Sequence, residues 1–260
     1  MKKTFLIINR YFEGFITRNF MIGFFRKKTG NVVVSGPFLG MKYISNSTGS
    51  RLLPKILGTY ELELHRVIGE ICKKSFDVIV DVGAAEGYYA VGMAYRNPNV
   101  RIVAFETEAN GRNSIKEMAD INGVADRVSV RGFCDSKLLS DSILYNEKCL
   151  IIMDIEGAES VLLDNRAIPK LNNCNILVEV HERLVPGVGD IIVDRFKNTH
   201  KIIEIKKRER VLGDFPIAVP KICRLFFKRY FIFNSMDEAR FDSLIGRPEK
   251  NINWLYLEPK

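Results

Sequence analysis

Apolar and polar positions along this 260-residue chain change their period several times, and each change marks an element. Phe5, Ile8, Phe12, Phe15, Ile16, Phe20, Phe24 and Phe25 recur at the spacing of a helix face with basic residues between them, which predicts one or two amphipathic helices at the start. Short β-like pieces follow over 31–34 and 41–44, around Gly36, Pro37 and Gly40, and the polar cluster over 45–50 reads as a loop. Leu62, Leu64, Val67, Ile68 and Ile71 predict a helix over 60–74, entered through Gly58 and Thr59. From Phe76 onward short apolar runs alternate with helical periods. Strands are predicted over 78–82, 101–106, 128–131, 150–154, 176–181 and 201–205, with helices over 87–96, 110–122, 158–164 and 190–197. That order implies a doubly wound α/β sheet with ligands at the carboxyl ends of its strands. Residues 208–250 lack the alternation, carry Pro216, Pro220 and Pro248, and include the basic aromatic piece CRLFFKRYFIF. A last strand is predicted over 254–257. The chain is therefore expected to have an extension over 1–75, with a basic amphipathic helix, short β pieces and a lead-in helix, and a catalytic domain over 76–260 with an insertion at 208–250.

Charge changes this picture only at one end. The net charge is +8, and residues 1–28 alone hold seven lysines and arginines against one acid, Glu13. The rest is nearly balanced, so the basic excess describes the first helix rather than a polyanion site on the sheet. Phenylalanine interleaved with lysine and arginine suits packing on the catalytic domain, and it also suits peripheral contact with an anionic membrane through residues 1–28. No run reaches the roughly 18 uncharged apolar residues that cross a bilayer. MKKTFLII imitates a signal peptide, but Asn9, Arg10 and Glu13 interrupt it, so the segment is read as retained in a cytoplasmic protein, at most peripheral at the inner membrane face. The five cysteines are odd in number and form no C-x-x-C pair, as expected of buried thiols in a reducing compartment.

Candidate chemistry gathers at the strand ends. The first predicted strand ends in Asp81, and Gly83 and Gly87 follow at once, giving D-x-G-x-x-x-G where a dinucleotide site would read G-x-G-x-x-G. That spacing suits a cofactor without phosphate whose amino-acid end approaches bare backbone, and S-adenosylmethionine is one. Gly83 is expected to remove a Cβ that would meet the cofactor. Glu106 ends the second strand at the separation where an acid meets a ribose. Asp135 follows the third strand and suits an exocyclic adenine amine, and Asp154 closes the fourth. One such acid is commonly a helix cap; four in register point to a shared crevice.

VDVGAAEGYYAV, VAFETEAN, IIMDIEGAESVLL and ILVEVHE, spread over Phe76 to Lys206, together resemble the class I S-adenosylmethionine-dependent methyltransferases, and within them the FkbM-like group. The resemblance implies a Rossmann-like seven-stranded, mostly parallel sheet with its last strand antiparallel, and O-methylation of hydroxyls on sugars or secondary metabolites. Carried over by motif, Asp81, Gly83, Ala84, Gly87 and Tyr88 lie at the methionine end, Glu106 at the ribose, Asp135 at the adenine, and Asp154 borders the cofactor. Ala85-Glu86 departs from the asparagine often found in the family turn.

The acceptor is read from the fourth and fifth strand ends. A D-P-P-Y or N-P-P-Y turn for base amines is absent, and Asp154, Glu156 and Glu159 stand there instead. Carboxylates suit orientation or deprotonation of a hydroxyl, and His181, beside Glu179 and Glu182, has the intrinsic pKa of a general base. The catalytic set is thus His181, Asp154 and Glu156, acting on a small-molecule or glycan acceptor. Asp154, Glu156, Glu179 and Glu182 also suit magnesium, but no ligand spacing is diagnostic, so no metal is assigned. Two alternatives remain open. An RNA methyltransferase is suggested by KKRER and KRYF, with the absence of an RNA-binding module against it, and a catalytically silent module of the same fold would need neither Asp154 nor His181.

Overall fold

The computed structural model describes residues 22–23, 25–45, 47, 50–208, 214, 216 and 254–260. Most of the predicted N-terminal amphipathic helix and the CRLFFKRYFIF segment lie outside these residues. The chain divides into two compact units, Met1–Leu62 with Glu209–Asp242, and Glu63–Arg208 with Ser243–Lys260. No helix among the described residues is long and apolar enough to cross a membrane.

In the first unit the two predicted β pieces meet in a single antiparallel bridge, Val32 with Lys42, because the intervening turn at Gly36 to Gly40 leaves too little extended chain for a ladder. Helix α1, Leu52–Leu57, is absent from the sequence reading, which passes from the loop over 45–50 directly to the helix at 60. Pro54 is its third residue, and a first-turn N–H has no intrahelical partner to lose. The helix stops at Gly58, whose φ of 68° is left-handed and where a Cβ would lie 1.9 Å from the Ser35 carbonyl oxygen.

The second unit opens with helix α2, His65–Ile71, preceded by a 3-10 turn rather than by the continuous helix predicted from residue 60. The alternating elements then follow: β1 Val78–Val82, α3 Tyr88–Arg96, β2 Arg101–Phe105, α4 Ala109–Ile121 and β3 Val128–Arg131. After these come α5 Ser136–Ser142, β4 Cys149–Met153, α6 Glu159–Leu162, β5 Asn175–Glu179, α7 Val188–Phe196, β6 His200–Ile205 and β7 Trp254–Pro259. The strands form one seven-stranded sheet in the order β3-β2-β1-β4-β5-β7-β6. Pairings among β1 to β5 are parallel, and β7 runs antiparallel to both β5 and β6. This is the doubly wound, mostly parallel architecture expected, with its last strand reversed.

Burial explains the sequence patterns. β1 and β4 are covered on both faces and buried at every position, so they read as unbroken apolar runs, whereas edge strand β3 alternates. Helix α5 is a further helix the sequence reading lacks: its serine-rich SKLLSDS hides the period, and only Leu139 and Ser142 are buried. The strand order reverses between β1 and β4, which opens a crevice beyond their carboxyl ends.

Candidate functional site

Asp81 sits within β1 beside this switch point, only 3% exposed. Its carboxylate accepts a hydrogen bond from the Ala90 backbone in the first turn of α3, while Oδ2 has no partner. Burial, reinforced by the charges of Asp154 and Glu106 and opposed by the Ala90 bond, raises its pKa to about 7. An orphaned buried carboxylate oxygen calls for a donor from outside the chain. The ammonium at the amino-acid end of S-adenosylmethionine is such a donor, so the residues fit the cofactor inferred from the motif.

The turn after β1 is shaped from both sides. Gly83 has φ 85°, and a Cβ there would lie 1.8 Å from the backbone oxygen of Asp154. Gly83 is therefore required by the approach of the β4 loop, a constraint that the motif alone did not show. The Gly83 and Ala84 N–H groups both donate to Phe105 O at 3.0 Å, and Asp154 N–H donates to Val82 O at 3.0 Å, so β1, β2 and β4 share one junction. Gly87, φ 97°, is the N-cap of α3, and Tyr88 behind it is buried with its ring edge-on to Tyr89. Glu86 is fully buried within the turn.

Glu106 follows β2 and turns back toward this loop. Its Oε2 accepts from Ala85 N–H at 2.8 Å and its Oε1 from Glu108 N–H at 2.7 Å, holding Ala85 at a left-handed φ of 49°. Oε1 also accepts from Thr107 Oγ1 at 3.5 Å, and Oε2 keeps a further lone pair for a ribose hydroxyl. Gly111 in α4 makes room for it, since a Cβ there would lie 2.7 Å from Glu106 Cγ and 2.8 Å from Ala85 O. The sequence reading passed over Gly111; a glycine early in a predicted helix, five residues after a strand-end acid, was the available signal. Asp135 is exposed, and its Oδ1 accepts Leu138 N–H at 2.7 Å, so it is the N-cap of α5.

The predicted catalytic residues meet around one imidazole. His181, just beyond β5, has Nδ1 2.5 Å from Glu159 Oε1. Its Nε2 lies 3.5 Å from Asp154 Oδ1, 3.5 Å from Glu156 Oε2 and 3.9 Å from Glu179 Oε2. The D-I-E-G-A-E turn produces this convergence through successive left-handed residues, Glu156 at φ 53° and Gly157 at φ 107°. Glu159 is fully buried; its Oε1 also accepts Gly157 N–H at 2.9 Å, and its Oε2 has no partner. Glu156 is 76% exposed at the mouth.

Burial would lower the His181 pKa, but the Glu159 bond and the charges of Asp154, Glu159 and Glu156 together raise it. Desolvation raises Asp154 against the attraction of His181, and a hydrogen bond joins its carboxyl group to that of Glu179. Burial also opposes ionisation of Glu159, yet the bonds from His181 and Gly157 hold its pKa low. Glu159 accordingly fixes the Nδ1–H tautomer and turns Nε2 into the crevice. The sequence named Glu159 among the strand-end acids without giving it that task. Glu182 does not join the group. Its oxygens accept Gly187 and Gly189 N–H at 2.8 and 3.0 Å, closing the loop into α7, so it is removed from the acid set considered for magnesium.

No family model and no curated protein matches the chain. Among solved structures it is similar to a Clostridium thermocellum protein assigned as an rRNA methylase, with TM-score 0.50 and 10% identity over 76% of this chain and 95% of that one. Weaker likenesses are the C-terminal domain of precorrin-6Y C5,15-methyltransferase from Rhodobacter capsulatus (TM-score 0.45, 13% identity, 72% of this chain, 82% of that chain) and a methyltransferase from Podospora anserina bound to S-adenosylhomocysteine (0.43, 14%, 76%, 78%). The first likeness is one of fold, and it agrees with the sheet described above.

Proposed function

We propose that this protein is an S-adenosylmethionine-dependent O-methyltransferase acting on a hydroxyl of a saccharide, a glycolipid or a secondary metabolite. The observation that carries the reading is the placement of His181, backed by Glu159, at a strand end where Asp154 acts on both its ring and the carboxyl of Asp81, whose Oδ2 has no partner. Bound in the crevice, the cofactor supplies an electrophilic methyl group on a sulfonium. Asp81 holds its ammonium, and Glu106, fixed by Ala85 and Glu108, accepts from its ribose. Asp135, bonded to Leu138 through Oδ1, has its second oxygen for the adenine amine.

His181 Nε2 takes the proton of the acceptor hydroxyl, while Asp154 and Glu156 orient that hydroxyl and stabilise the imidazolium that results. Methyl transfer is in-line, so alignment of acceptor oxygen and methyl carbon is the main work of the site. Carboxylate and imidazole acceptors at both strand ends suit a hydroxyl better than a base amine.

The test is calorimetric titration of S-adenosylhomocysteine into the full chain and Glu106→Ala, followed by an acceptor screen with methyl-labelled cofactor. Binding lost in the variant, and label in sugars or glycolipids, supports the reading. No binding to wild type rules out the enzyme assignment; label entering RNA instead replaces the acceptor class.

A further inference from the structure

We infer that Asp154, Glu156 and His181 form a binding site for a divalent transition-metal cation at the mouth of the crevice. The inference rests on the methyltransferase reading only for the ion's use, not for its binding. One ligand atom from each of the three residues lies within 4.8 Å of the other two. The Nε2 distances to Asp154 and Glu156, both 3.5 Å, exceed the 2.7–3.2 Å of an N–H···O hydrogen bond. They are close to the separation of neighbouring ligands around a shared ion, each about 2.0–2.2 Å from the metal.

The group behind these atoms points the same way. Glu159 is fully buried, and its hydrogen bond to Nδ1 directs the Nε2 lone pair at two carboxylates. A lone pair facing anions is repulsive until a proton or a metal ion stands between them. Glu159 Oε2 is itself a buried oxygen without a partner. Four carboxyl groups, those of Asp154, Glu156, Glu159 and Glu179, come within 3.9 Å of this ring, and with Asp154 and Glu179 sharing one proton they still outnumber the single charge an imidazolium supplies. Carboxylate backing an imidazole whose other nitrogen binds an ion is a recurrent arrangement at metal centres.

The donor set selects the ion. Two carboxylates alone would suit magnesium, whereas an imidazole nitrogen shifts preference to manganese, iron or zinc. Three protein ligands leave coordination open on the ion, and the exposed Glu156 places that opening towards solvent. An acceptor hydroxyl bound there becomes more acidic, and its proton passes to water. In the ion-loaded form Nε2 is a ligand, and the ion takes over the activation assigned to the free base.

The experiment is titration of Mn2+ into the full chain, reading free ion by electron paramagnetic resonance. The expected result is saturable binding of a single ion, weakened about tenfold or more in Glu156→Gln and His181→Gln and unchanged in Glu117→Gln on the exposed face of α4. Glu156 is exposed enough for its variant to fold, and S-adenosylhomocysteine affinity measured on the same samples separates the two proposals. Mn2+ bound without S-adenosylhomocysteine sustains the ion site while the methyltransferase reading falls. Failure to bind Mn2+, or binding equally tight in Glu156→Gln, overturns the ion site whatever the cofactor does.

Discussion

At the scale of single residues, Asp81 carries the clearest consequence of burial. Its pKa is raised from 3.8 to about 7, so between those values the native state keeps a proton that the unfolded chain has released. Its contribution to stability is full below the ordinary carboxylate range and is lost as pH rises towards 7, a difference on the order of 4 kcal/mol. Asp81→Asn is expected to melt above wild type at pH 8 and level with it near pH 4; a constant gap would show that the carboxylate is not strained. Pairing with a cationic amine reverses the balance, so S-adenosylhomocysteine should displace a proton when it binds at pH 6. Calorimetry in buffers of different ionisation heat measures that release, and Asp81→Asn should abolish it. Gly83 is the steric counterpart. Gly83→Ala would place a methyl against the Asp154 carbonyl at a positive φ, and a loss of about 3 kcal/mol or more is expected in chemical denaturation. The sequence made both residues visible through D-x-G. It hid the neighbour of Gly83, because the partner lies on β4, many residues away.

Among elements, the sequence was most readable where burial on both faces left one pattern available. β1 and β3 have the bounds expected, and β2, β4, β5 and β6 differ by one or two residues. Polar elements were harder to read. α5 is a helix because Asp135 accepts its Leu138 N–H, not because its apolar positions repeat. Asp135→Ala should therefore cost about 1 kcal/mol of unfolding free energy with no cofactor present. A variant as stable as wild type would show that the cap contributes nothing. Element ends also decided which acids reached the site. The left-handed residues of D-I-E-G-A-E bring Glu156 and Glu159 to His181, whereas Glu182, one residue after it, is drawn away by the two N–H groups entering α7. Proximity in sequence suggested one cluster; the competition of backbone donors divided it.

Across the second unit, the sheet joins residues distant in sequence. β7 lies between β5 and β6, and its Trp254 is the chain's single tryptophan, 1% exposed, with its ring 6.4 Å from that of Tyr89. Tryptophan fluorescence should thus follow the insertion of β7 directly. Its unfolding midpoint in denaturant should coincide with that of far-ultraviolet circular dichroism, and an earlier fluorescence change would mean that β7 detaches alone. Lys74 anchors the strand further through Tyr256 OH at 3.0 Å and Glu258 at 2.5 Å. The place of β7 also orders events during synthesis. β1, β2, β4 and β5 find parallel neighbours among strands made close to them in time, but β6 pairs only with β7 and must wait until residues 206–253 have been translated. Throughout that interval β5 presents an unpaired edge to the surrounding solution, so the ribosome's pace over this stretch sets how long the nascent chain is exposed to pairing with the wrong partner.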